Sequence, residues 1–184
     1  YFTMNHTEAI VKLDNLINTE FTDKIISVIR KKNKKNLVVG KGLDTKIRDV
    51  KGCLLNREDS DDIVHWDYIQ KEIERLYFYY KVKFPKMASN KINQIDLLEY
   101  SVGCKYNVHT DHYTDTPRCL SIIINLNEEY EGGDLVFTDQ KNKEIKRFKL
   151  KRGSIVFFPS NFLYPHCIEP ITKGTRYSIV AWLE

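Results

Sequence analysis

The chain has 184 residues, 42% of them hydrophobic and 29% charged, which is ordinary globular usage for one domain and excludes disorder and fibrous repeats. A net charge of +4, from 29 basic and 25 acidic residues, marks no electrostatic partner, and no apolar run approaches the ~20 residues that span a bilayer. No basic-then-apolar leader opens the sequence, so a soluble, cytoplasmic protein without membrane association is expected, with Tyr1-Phe2-Thr3 ahead of Met4 read as a non-native extension.

In chain order, Val11 and Leu13 alternate with Lys12 and Asp14, a short strand pattern. Asn18 or Thr19 can cap a helix running to about Lys32, with Ile25, Ile26 and Ile29 turned inward. The run Arg30-Lys31-Lys32-Asn33-Lys34-Lys35 falls at the end of that helix, where cations suit the negative pole of the helix dipole; lacking interleaved aromatics, it is a weak phosphate-binding signal. Val38–Asn56 reads as a loop region holding a short strand. Asp59 or Ser60 opens a second helix, in which Trp66, Ile69, Ile73, Leu76 and Tyr80 step by three and four, and Pro85 ends it.

From Ile95 the period becomes two. Strands are predicted over Ile95–Tyr100, Tyr106–His109, Cys119–Asn127, Asp134–Thr138, Glu144–Leu150, Ser154–Pro159, His166–Ile168 and Tyr177–Leu183. Turn signals at Asp115-Thr116-Pro117, Glu131-Gly132-Gly133, Lys141-Asn142, Arg152-Gly153 and Lys173-Gly174 separate most of them. Two helices ahead of seven or eight short strands predict an α+β layout, a sandwich or barrel with helices against one face. Cys53, Cys104, Cys119 and Cys167 form no Cys-x-x-Cys pair, against a zinc ribbon or thioredoxin motif. The last three fall in or beside strands and read as small apolar groups in a reducing compartment.

The chemistry centres on His109-Thr110-Asp111. His65-Trp66-Asp67 has the same spacing but lies in the second helix, where residues two apart point about 200° from each other. His109 and Asp111 end a strand, where alternate side chains share a side and can share an ion. A third ligand is found in His166, since His6 lies in the leading segment and His112 faces away. Two imidazoles and a carboxylate make the facial triad of a non-haem iron centre, with positions left open. A closed zinc site would need a fourth ligand that no residue at suitable spacing offers. The competing reading is a surface His-x-Asp together with a hydrogen-bonded His166. Arg176 shares a strand face with Ser178, Val180 and Trp182; a guanidinium heading an apolar strand calls for a carboxylate, either a ligand's or that of a neighbouring Asp or Glu.

From about Leu97 to Trp182 the sequence resembles the iron- and 2-oxoglutarate-dependent prolyl 4-hydroxylases. The resemblance rests on Leu97-Leu98-Glu99-Tyr100, Gly103, Tyr106-Asn107-Val108-His109-Thr110-Asp111, Arg118-Cys119, Leu126-Asn127, Glu131-Gly132-Gly133-Asp134-Leu135, Gly153-Ser154-Ile155-Val156-Phe157-Phe158, Pro165-His166 and Thr175-Arg176-Tyr177 before Trp182. It implies a double-stranded β-helix, a jelly-roll-like barrel, as the core over residues 95–184. Residues 1–94 would form its helical support and substrate side within a single domain. It implies Fe(II) at His109, Asp111 and His166, and 2-oxoglutarate on Arg176 with Tyr100 alongside. Tyr106, Arg118 and Trp182 correspond to positions near substrate or lining the pocket. Asn125 stands where the oxygen-sensing branch has a tyrosine that assists the cosubstrate carboxylate, and its amide is a candidate donor. Dioxygen as second cosubstrate, ascorbate as reductant and a proline-containing peptide or protein as substrate follow, the chemistry being iron-centred with no separate protein acid or base. Substrate-binding loops are expected at Val38–Asn56 and Thr110–Arg118. The alternatives are a same-mechanism oxygenase acting on another substrate and a non-catalytic metal- or peptide-binding barrel. Nucleic acid is disfavoured, since the demethylase pattern has a second Arg where Trp182 stands. Oligomeric state leaves no mark in the sequence.

Overall fold

The computed structural model describes residues 6–37, 46, 48–113, 115 and 117–184. After a 3-10 turn at His6–Ala9, the first half holds β1 (Val11–Leu13), α1 (Thr19–Lys31), β2 (Lys35–Asn36), β3 (Arg48–Asp49), β4 (Lys51–Leu54) and α2 (Ser60–Lys83). The second half is all strand: β5 (Ile92–Tyr100), β6 (Lys105–His109), β7 (Leu120–Asn125), β8 (Tyr130–Gly132), β9 (Leu135–Thr138), β10 (Glu144–Phe148), β11 (Ile155–Pro159), β12 (His166–Ile168), β13 (Ile171–Gly174) and β14 (Arg176–Leu183). No helix among the described residues is long and apolar enough to cross a membrane.

Both helices start where the sequence offers a cap. The Asn18 side chain accepts from Phe21 N at 2.8 Å, and Asp59 Oδ1 accepts from Asp61 N and Asp62 N at 2.8 and 3.1 Å. The lysine run after α1 is largely tied down within the molecule. Lys32 pairs with Asp62, while Lys34 bonds Ile29 O at 2.8 Å and reaches Glu99 at 3.4 Å.

Antiparallel pairing builds a seven-stranded sheet, β1-β11-β7-β14-β5-β4-β2, and a five-stranded sheet, β10-β9-β12-β6-β3. Strand alternation then divides the core. Ile122, Ile124, Phe157, Ile179 and Ala181 face out of the larger sheet onto Ile25, Ile29, Ile69, Ile73 and Leu76 of the helices. Leu98, Tyr100, Ile123, Val156 and Phe158 face the other way, onto Leu135, Phe137 and Ile168 of the smaller sheet. Each fully buried Ile, Leu or Phe contributes roughly 1.5–3 kcal/mol, so the central strands are anchored on both faces. The result is the expected jelly roll with its supporting helices.

Several details differ from expectation. Glu131-Gly132-Gly133 and Lys173-Gly174 do more than turn: β8 and β13 pair with each other as a separate two-stranded sheet. Glycine in the left-handed region (φ +76 at Gly132, +75 at Gly174) reads as a turn from sequence, yet its neighbours still pair across the ladder. Among its described residues the 38–56 region holds two strands, β3 and β4, where one was expected; residues 38–45 and 47 lie outside the described residues, as do 1–5, 114 and 116. The strand expected at Ile95 begins at Ile92. All four cysteines are free, but Cys119 is exposed, so it is not the core thiol anticipated; it lies before β7 begins.

Candidate active site

The inter-strand register assembles the site. Antiparallel pairing of β12 with β6 sets His166 opposite His109, and Asp111 follows two residues beyond. The three side chains offer donor atoms within 4.8 Å of one another, the only such group of three or more His, Cys, Asp or Glu among the described residues. His65 and Asp67 on α2 form none. His112 is exposed, its Nδ1 3.1 Å from Arg118 O.

Backbone carbonyls orient both imidazoles. His109 Nδ1 lies 2.8 Å from Asn107 O and His166 Nδ1 3.1 Å from Tyr164 O. A carbonyl only accepts, so each Nδ1 carries a proton, and each Nε2 is the ring nitrogen turned to the site. His109 Nε2 is 3.3 Å from Asp111 Oδ1, and His166 Nε2 is 3.8 Å from Asp111 Oδ2. Burial, with His109 adjacent, pushes His166 down to about 4 from its ordinary 6.5, favouring the neutral form that a metal needs. Burial would raise the Asp111 carboxyl, but His166, His109 and the Ser121 hydroxyl outweigh it and hold Asp111 ionised, well below the usual range. Two imidazoles and one carboxylate fit Fe(II), and among the described residues no fourth His, Cys, Asp or Glu joins the set.

The same cavity receives Arg176, a guanidinium only 1% exposed. Its Nε donates to Asn125 Oδ1 at 3.0 Å, its buried Nη2 has no partner, and no ion pair among the described residues includes it. A buried cation without a counter-ion is costly, and an anion bound at this end of the cavity would relieve that cost. The apolar walls are Leu98, Ile123, Ile168 and Val180.

Of the other residues singled out from sequence, Tyr100, Tyr106 and Trp182 line the cavity. The Tyr106 ring stacks on His109 with centroids 3.5 Å apart, the Arg48 guanidinium lies over that ring, and burial raises the Tyr106 hydroxyl so that it stays protonated. Asn125 stands behind Arg176. Its amide nitrogen donates to the carbonyls of Asn127, Leu150 and Lys151, so only its oxygen faces the guanidinium. Arg118 stacks on Trp182 at 3.7 Å and donates to Asp111 O and Gln94 Oε1.

The cavity also includes Arg48 and Ser178, whose Oγ is buried without a partner. Strand alternation from Arg176 already puts Ser178 on the site face. Arg48 leaves no such signal, since its place depends on β3 pairing with β6 across more than fifty residues.

Residues 95–184 match the family model of the 2OG-Fe(II) oxygenase superfamily. That family uses Fe(II) and 2-oxoglutarate, with ascorbate as its typical reductant. A PKHD-type hydroxylase from a Synechococcus strain is 26% identical over 126 residues, covering 64% of this chain and 53% of the relative. The chain spans about half the length of the curated relatives it matches. By structure it is similar to a Pseudomonas putida prolyl-4-hydroxylase (TM-score 0.78, 17% identity, covering 96% of this chain and 92% of that one). It is also similar to a Trichoplax adhaerens prolyl hydroxylase solved with a hypoxia inducible factor peptide (TM-score 0.79, 16% identity, covering 96% and 84%). At these identities the likeness establishes the fold.

Proposed function

We propose that this chain is an Fe(II)- and 2-oxoglutarate-dependent dioxygenase that hydroxylates prolyl residues in a peptide or protein. One observation carries the reading: an open-faced His-Asp-His donor set and a buried guanidinium without a counter-ion share a single cavity. In this reading His109 Nε2, Asp111 and His166 Nε2 hold the iron. Arg176 takes the C5 carboxylate of 2-oxoglutarate through its unpartnered Nη2. Bound together, these groups supply dioxygen activation and the insertion of one oxygen atom into a C–H bond, with succinate and carbon dioxide as co-products.

The protein's own part is orientation and exclusion of water. Asn107 O and Tyr164 O fix the two imidazole tautomers, and Leu98, Ile123, Ile168 and Val180 keep the cavity apolar. Tyr106, held protonated by burial, can orient a neighbour by hydrogen bonding but takes no proton. We assign no separate acid or base. Residues 1–94 are read as the helical support and substrate side of one domain. The prolyl assignment draws on the hydroxylases that this chain resembles, and a peptide is favoured over nucleic acid because Lys32 and Lys34 are paired internally.

The test is incubation with proline-containing peptides, Fe(II), 2-oxoglutarate and ascorbate, read by mass spectrometry. One oxygen gained on proline, and lost with His166→Ala, is the expected result. Oxygen gained on another residue overturns the prolyl assignment; binding of iron and 2-oxoglutarate with no turnover on any peptide or of 2-oxoglutarate itself overturns the enzymatic one.

A further inference from the structure

Asp111 Oδ2 accepts two hydrogen bonds, from Trp182 Nε1 at 3.0 Å and from Ser121 Oγ at 2.7 Å. All three side chains are buried: Asp111 is 5% exposed, Trp182 4% and Ser121 0%. The direction of each bond follows from chemistry. An indole N–H only donates and an ionised carboxylate only accepts. Ser121 Oγ also lies 2.8 Å from Ser160 Oγ; with its single proton given to Asp111, Ser121 must accept there from Ser160. A carboxylate oxygen has about two lone-pair directions, so these two donors fill Oδ2. Oδ1 is left facing His109 Nε2.

We propose that Trp182 and Ser121 are positioning residues that hold Asp111 as a one-oxygen metal ligand. The inference rests on reading the site as a metal centre. A carboxylate ligating through both oxygens would occupy one more position of the ion, at the expense of the two needed by a chelating cosubstrate and the third needed by dioxygen. The register supports this role. Gln94 on β5, Trp182 on β14 and Ser121 on β7 are direct cross-strand neighbours, forming a row beneath the carboxylate. Arg118 presses on the indole from 3.7 Å and is itself held by Gln94 Oε1 at 3.0 Å, so the donor cannot swing away. Groups that orient a ligand in this way typically change metal affinity 10–100-fold when removed.

The rival role for Trp182 is a wall of the cavity, and two variants separate the roles. Trp182→Phe keeps an aromatic wall and removes only the N–H; Ser121→Ala removes a hydroxyl that lies away from the wall. Co(II) alone is the probe, without cosubstrate or peptide, its affinity read by chelator competition and its coordination by visible absorption. Each variant should bind Co(II) about tenfold or more weakly, with an altered ligand-field spectrum, while metal-free melting stays within a few degrees of the parent. Parent-like affinity and spectrum in both variants, whatever happens to the KM for 2-oxoglutarate, would overturn the proposal. A parent protein that fails to bind Co(II) would instead overturn the metal-centre reading on which it stands.

Discussion

Arg176 gives its Nε–H to Asn125 Oδ1 over 3.0 Å, so the buried cation is held by a neutral acceptor that does not discharge it. Three backbone carbonyls and the Tyr130 hydroxyl, 3.2 Å from the same oxygen, fix the amide in that orientation. The guanidinium stays available to an incoming carboxylate. Asn125→Asp would place a competing anion against it. Steady-state kinetics at varied 2-oxoglutarate should show KM raised tenfold or more, with Co(II) affinity within a few-fold of the parent.

Metal-free protein should weaken in mild acid. His166 is pushed down to about 4 in the folded state against 6.5 unfolded, so between these values the unfolded chain binds a proton that the native site refuses. Stability is fully present above about pH 6.5 and declines as pH falls towards 4, by on the order of 3 kcal/mol. Urea titrations across this window would measure the slope. His166→Gln should flatten it, whatever its effect on stability at neutral pH.

Gly132 tests the small sheet formed by β8 and β13. Its φ is +76, and an added Cβ would stand 2.2 Å from Pro170 O, a backbone atom with little room to retreat. Gly132→Ala should cost about 2 kcal/mol or more, a fall in Tm of roughly 4–8 °C for a chain of this size, measured by calorimetry.

Asp59→Ala removes both hydrogen bonds that cap α2. A loss of about 1 kcal/mol is expected, or 2–4 °C in Tm, with the metal affinity of the folded protein unchanged.

The parts of the site that could be read from sequence are those governed by strand alternation. His109 and Asp111 share a side because they are two apart at a strand end, and Arg176, Ser178, Val180 and Trp182 line one cavity for the same reason. Alternation is silent about which end of a side chain is used. Asn125 lies behind Arg176, where an amide could present its nitrogen or its oxygen; carbonyls at Asn127, Leu150 and Lys151 decide, and the last two come from another part of the chain. Trp182 lines the cavity, while its hydrogen bond to Asp111 depends on a partner 71 residues away. Likewise β8 and β13 were hidden because glycine is a stronger turn signal than their three or four residues are a strand signal.

The two-sided burial of the central strands bears on how the molecule can be divided. A fragment starting at Ile95 would contain every member of the His-Asp-His set, yet it would bare Ile122, Ile124, Phe157, Ile179 and Ala181 to water once α1 and α2 were gone. Such an uncovered β surface invites self-association, so the second half that matches the family model is not a portable module. Transplanting it requires carrying the two helices along as a splint.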